Sequence, residues 1–135
     1  MKRVVYDTNV ALDVLLQRDP HFQASAKALD AAGCGQVEGY LAGHAITTIA
    51  YMLQKAVGAA RAKLILSDLL SRLQVAPITD AVIRLALASP LTDFEDAVCH
   101  AAAEEVNAVV IVTRNVSDFA KGAIPAILPD LFQLD

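Results

Sequence analysis

Runs of apolar residues alternate with helical patterns along this chain. Val4-Val5-Tyr6 is a short β-branched and aromatic run, read as a strand buried on both faces. It stops at Asp7-Thr8-Asn9, and Val10, Leu12, Val14, Leu15 and Leu16 then recur as an amphipathic helix. Arg18-Asp19-Pro20 interrupts that pattern, with Pro20 suited to the first turn of a second helix. Phe22, Ala26, Leu29 and Ala32 continue it to Gly33-Cys34-Gly35. Residues 37–42 predict a second strand ending at Gly43-His44. Residues 45–57 and 59–73 predict two long helices hinged at Gly58, an αα-hairpin. Val75-Ala76-Pro77-Ile78 is a brief strand candidate, and Thr79-Asp80 starts a helix that runs to Ala88. A helix from about Thr92 to Val106 precedes the most persuasive strand, Ala108 to Thr113. Ile124 to Pro129 reads as an edge strand, where prolines are tolerated. Strands alternating with helices predict a parallel sheet in one α/β domain, residues 1–135.

Composition narrows this only modestly. At 135 residues the chain is the size of one domain with a proper core, and its 56% hydrophobic content without Trp suits helices packed tightly on a small sheet. No apolar run approaches the roughly 20 residues that span a bilayer, and Asp7 and Asp13 break any signal-peptide core. The expectation is a soluble cytoplasmic protein with no membrane association. Cys34 and Cys99 form neither a metal-ligand spacing nor a disulfide framework. The net charge of −4 argues against a general nucleic-acid coat, but not against an enzyme that holds RNA through a local basic rim.

Three polar stretches carry the candidate chemistry. Asp7 follows a strand and begins a helix, which places it at the carboxyl edge of the sheet, where open α/β folds bind ligands. Helix capping alone would equally account for an Asp or Thr there. In the second stretch, Thr92 and Glu95 match a capping box, leaving Asp93 and Asp96 one turn apart on one side of the helix. Two carboxylates facing one way repel unless a cation or proton lies between them, although acids in a first turn also complement the helix dipole. His100 lies one turn further along, read as a supporting or solvent-exposed residue rather than a ligand. The third stretch is a polar loop after the last long strand, carrying Thr113, Arg114, Asn115 and Asp118. In a right-handed crossover a helix begins at the carboxyl edge, so Asp7, Asp93, Asp96, Asn115 and Asp118 are able to converge. Their oxygens suit Mg²⁺ or Mn²⁺, which can activate water and offset charge on a phosphoryl group.

Tyr6-Asp7-Thr8-Asn9-Val10, Asp93-Phe94-Glu95-Asp96-Ala97 and Thr113-Arg114-Asn115-Val116-Ser117-Asp118-Phe119 together resemble the signature segments of PIN-domain proteins. They are most similar to VapC-like ribonuclease toxins of toxin–antitoxin pairs, and segment order and length agree over nearly the whole chain. The resemblance implies an α/β/α sandwich around a central, mainly parallel sheet of four to five strands. It implies a Mg²⁺- or Mn²⁺-dependent endoribonuclease, commonly a homodimer, silenced by a cognate antitoxin. Carried over by residue, it makes Asp7, Asp96 and Asp118 metal ligands, with Asp93 and Asn115 completing the catalytic set. Thr8, Thr113 and Arg114 become substrate contacts, and Arg18, Lys55, Arg61 and Lys63 further candidates to hold phosphates. One position departs from the family: Thr48 stands where members usually carry a Glu, and a hydroxyl is a poorer ligand for a hard cation. That departure supports a second reading, a catalytically weak PIN scaffold that binds RNA or protein. A small phosphohydrolase of another α/β type ranks last, because Asn9 stands where that chemistry wants a second acid.

Overall fold

The computed structural model describes residues 1–133. Five strands form one parallel sheet, β1 (Arg3–Tyr6), β2 (Glu38–Ala42), β3 (Gln74–Ala76), β4 (Val110–Val112) and β5 (Ala126–Ile127), in the order β3-β2-β1-β4-β5. The helices are α1 (Thr8–Leu15), α2 (Phe22–Gly33), α3 (Gly43–Val57), α4 (Ala59–Leu70), α5 (Asp80–Leu87) and α6 (Phe94–Glu105). Short 3-10 turns occupy Val116–Phe119 and Pro129–Leu131.

The continuous apolar run of β1 has the cause the sequence suggested. Val4 and Tyr6 enter one core with residues of α1, α2, α3 and α4, whereas Val5 enters a second core with α5 and α6. Both layers are sealed, since Val4, Val5 and Tyr6 are all at most 1% exposed. The Tyr6 hydroxyl donates to the Ala28 carbonyl at 2.7 Å, which satisfies the polar end of a buried ring. Close packing of α2 on the sheet depends on Gly39, where a Cβ would come within 2.6 Å of Ala32 Cβ.

The predicted elements are all present, with shifted ends. Pro20 does not open α2: the Asp19-Pro20 bond is cis and sits in the turn before Phe22. Helix α4 stops at Leu70, and Leu73 leaves it to enter the core just ahead of β3. The last long strand is trimmed to three residues, with Ala108 and Val109 in the lead-in from α6 and Thr113 already in the loop at the sheet edge. Among the described residues no helix is long and apolar enough to cross a membrane.

Topology decides which residues meet. β1, β4 and β2 lie side by side, so the residues that follow them, Asp7, Thr113 and Gly43-His44, share one carboxyl edge. Helix α6 begins at the same edge, as a crossover into a parallel neighbour requires.

Candidate metal centre

Asp7 stands at the carboxyl edge of the sheet and also caps a helix. It is the N-cap of α1, its Oδ1 accepting from the Thr8 amide at 2.9 Å, and its Oδ2 accepts from the Thr113 hydroxyl at 2.8 Å. The carboxylate is only 4% exposed. Burial pushes its pKa up, while the Thr113 hydroxyl and Thr8 amide pull against that shift.

The start of α6 differs from the capping box expected. The N-cap is Asp93 rather than Thr92, and its Oδ1 accepts from the Asp96 amide at 3.0 Å. A carboxylate is a strong cap and also complements the helix dipole, so one residue fills both roles. Moving the cap by one position frees Glu95 from the box. Its carboxylate joins those of Asp7 and Asp96, with one oxygen of each lying within 4.8 Å of the others.

Three acids this close hold each other's charge in check. Burial, then the charges of Asp7, Asp93 and Glu95, raise the Asp96 carboxyl to about 7. Glu95 moves the opposite way. His44, at the start of α3, sets its Nε2 3.2 Å from the Glu95 carbonyl and 3.7 Å from Glu95 Oε1. That contact lowers the Glu95 pKa and raises that of His44. The Thr8 hydroxyl also reaches Glu95 Oε1, at 3.5 Å. Three mutually close carboxylates, two of them buried, form a donor set that fits a hard divalent cation.

A PIN-domain sequence profile matches residues 3–117. The chain belongs to the PIN-domain family. No curated protein matches the sequence. Solved structures share this fold over most of the chain. A toxin–antitoxin complex from Klebsiella pneumoniae superposes with a TM-score of 0.72 at 20% identity, covering 93% of this chain and 97% of that one. VapBC2 from Rickettsia felis, bound to a DNA fragment from its promoter, gives 0.70 at 14% identity over 93% and 98%. Mycobacterium tuberculosis VapC20, a sarcin-ricin loop cleaving toxin, gives 0.67 at 15% identity over 88% and 95%.

The remaining expected PIN site residues scatter around this centre. Thr113 is fully buried and its hydroxyl is committed to Asp7 and to the Asn115 amide, which donates to it at 3.0 Å. Asn115 and Asp118 are exposed on the following loop and 3-10 turn, which the buried Phe119 anchors. The acidic cluster does not include Asp118. Arg114 makes a two-pronged ion pair with the fully buried Asp13, at 2.8 and 3.2 Å, and approaches His21 Nε2 at 3.3 Å. Arg18 is 3.3 Å from the Asn9 side chain. His100 is buried rather than solvent-exposed. Its Nε2 accepts from the Ile124 amide at 3.1 Å and its Nδ1 lies 3.1 Å from Glu104. Thr48 is exposed on α3, and the side chain that reaches the acids from that helix is His44, one turn earlier. His44 and Glu95 are the two site residues missed by sequence reasoning. The available signal was position, a polar residue at the end of β2 and a third acid in the first turn of α6.

Proposed function

We propose that this PIN domain is a divalent-metal-dependent endoribonuclease, the toxin of a toxin–antitoxin pair acting in the cytoplasm. The observation that carries the reading is the convergence of Asp7, Glu95 and Asp96 from β1 and α6 at one sheet edge. Asp7 and Asp96 are assigned as direct ligands of Mg²⁺ or Mn²⁺, with Glu95 in the third place that sequence gave to Asp118. Such an ion, when bound, polarises a water and offsets charge developing on phosphoryl oxygens. The chain's own residues prepare the site beforehand. Thr113 and the Thr8 amide fix Asp7, His44 fixes Glu95, and Asp93 fixes the first turn that carries Asp96. Asn115 and Asp118 stand on the exposed rim, suited to orienting water or RNA.

The partner in this reading is an antitoxin, as in the complexes whose fold the chain shares. A groove of about 520 Å³ between α1, α2 and α4, lined by Val14, Leu15, Leu29, Leu64, Ile65 and Leu69, offers an apolar seat for its segment. A homodimer is the proposed assembly.

The test is Mg²⁺ or Mn²⁺ titration of partner-free protein with an RNA pool, wild type beside Asp96→Asn. Metal-dependent cleavage that disappears in the variant supports the reading. Full cleavage by Asp96→Asn overturns it. A second reading, a PIN scaffold that binds RNA without cutting it, draws on Thr48. Among the described residues the cluster holds three acids, and α3 adds none. Folded wild type that neither binds metal nor cleaves would favour that scaffold.

A further inference from the structure

Helix α3 carries a surface stripe that begins at the acidic centre. His44, Thr48, Tyr51 and Lys55 follow one another at intervals of four, three and four residues, within about 60° of the helix circumference. The opposite side, Ala45, Ile49 and Leu53, is buried in the core, which fixes the stripe outward. At its head, His44 contacts Glu95 of the acid cluster. About 10 Å further along the axis stands Tyr51, 59% exposed, with the Lys55 ammonium 5.2 Å from its ring centroid. Between them is Thr48, small and uncharged, at the position where the family resemblance expected a carboxylate.

Resting on the nuclease reading above, we infer that this stripe is a subsite for single-stranded RNA, in which Tyr51 stacks on an unpaired base beside the scissile position. An exposed aromatic face receives any base that is free of its own stack. The Lys55 ammonium lies over one face of that ring, so the base takes the other, and on a chain of net charge −4 the ammonium supplies local attraction for the neighbouring phosphate. A carboxylate at position 48 would repel the backbone crossing it, and Thr48 does not. The same residue that weakens the case for a four-acid centre therefore opens the path to it. Bases inside a duplex present no free face, so the subsite selects loops and single strands.

The chain has its own reporter. Of its three tyrosines, Tyr6 and Tyr40 are buried, and there is no Trp, so quenching of intrinsic emission by a bound base reads Tyr51. The experiment uses the full-length protein in EDTA with a short 2′-O-methyl oligoadenylate, which is not cleaved, and its duplex as control. Saturable quenching is expected with the single strand. By anisotropy, Tyr51→Phe should keep the affinity and Tyr51→Leu should lose at least about fivefold. Lys55→Gln should weaken binding and lower the salt slope by about 0.7. Unchanged affinity in Tyr51→Leu, or equal affinity for duplex, overturns the subsite. So does a Tyr51→Leu protein that loses a dimer on gel filtration while its oligonucleotide affinity stays put, since the face is then a contact between copies. Cleavage assayed separately in Mn²⁺ keeps the two proposals apart. Binding through Tyr51 without cleavage removes the nuclease and leaves the subsite, and cleavage indifferent to Tyr51 does the reverse.

Discussion

The Thr113 hydroxyl donates to Asp7 Oδ2 at 2.8 Å across the β1–β4 pair, joining residues 106 apart in the chain. That oxygen accepts the hydroxyl's hydrogen bond, and the hydroxyl oxygen in turn accepts one from the Asn115 amide. Thr113→Val keeps the shape and removes the donor, leaving a buried carboxylate oxygen and a loop amide without their partner. The expected cost is about 1–3 kcal/mol of stability, measured by denaturant midpoint. With the restraint on Asp7 gone, metal affinity should also fall, whereas Thr113→Ser should restore both.

Glu95 tests whether the cluster in the structure or the one expected from sequence holds the metal. Glu95→Gln keeps size and lies outside the α6 cap, so it should fold as wild type. Calorimetric titration with Mn²⁺ should show it weakened on the scale of Asp96→Asn. Asp118→Asn should bind as wild type, because the Asp118 carboxylate is outside the group. The opposite order would return Asp118 to the ligand set.

The elements were legible in the sequence because each carries its own local signal. A sheet buried on both faces shows as unbroken β-branched runs, and Val4-Val5-Tyr6 and Val110-Ile111-Val112 are such runs. Asp7 and Asp96 were legible because strand end and helix start are local features. Glu95 was not, since Thr92 offered an equally good box partner, and only the register of the cap decides between them. Arg114 stood in the third motif like a phosphate ligand, but its partner Asp13 lies 101 residues earlier, in a helix whose face reads as simple amphipathic packing. Non-local polar pairing leaves no periodic trace.

Without metal, the protein should lose stability as pH rises. Asp96 has a folded pKa raised to about 7 against an unfolded carboxyl near 3.9, so between those values the folded state holds the extra proton. Stability then falls from about pH 4 to 7 and stays low above. The raised pKa of His44 acts in the same direction, its contribution present below the unfolded value and lost as pH passes the folded one. The melting temperature in EDTA should therefore drop between pH 5.5 and 8, and Asp96→Asn should flatten most of the drop. Added Mn²⁺ at pH 8 should raise it in wild type and scarcely in the variant. A wild-type melting temperature that climbs over this range would contradict the geometry.

Arg114 should prove structural before it proves catalytic. Asp13 is fully buried, and its two oxygens accept from the Arg114 guanidinium, with Ser25 Oγ donating at 3.0 Å. Arg114→Gln strands that charge in the core between α1 and α2, which typically costs about 3–5 kcal/mol, and the 28% exposure of Arg114 argues for the lower end. Lys is no substitute, since an ammonium cannot reproduce the two-pronged contact. The discriminating measurement is the double variant Asp13→Asn/Arg114→Gln. If the guanidinium serves mainly to neutralise Asp13, removing the buried charge should recover most of the denaturation midpoint and, with it, metal-dependent cleavage. If Arg114 instead holds a phosphate of the substrate, stability would return in the double variant but cleavage would not.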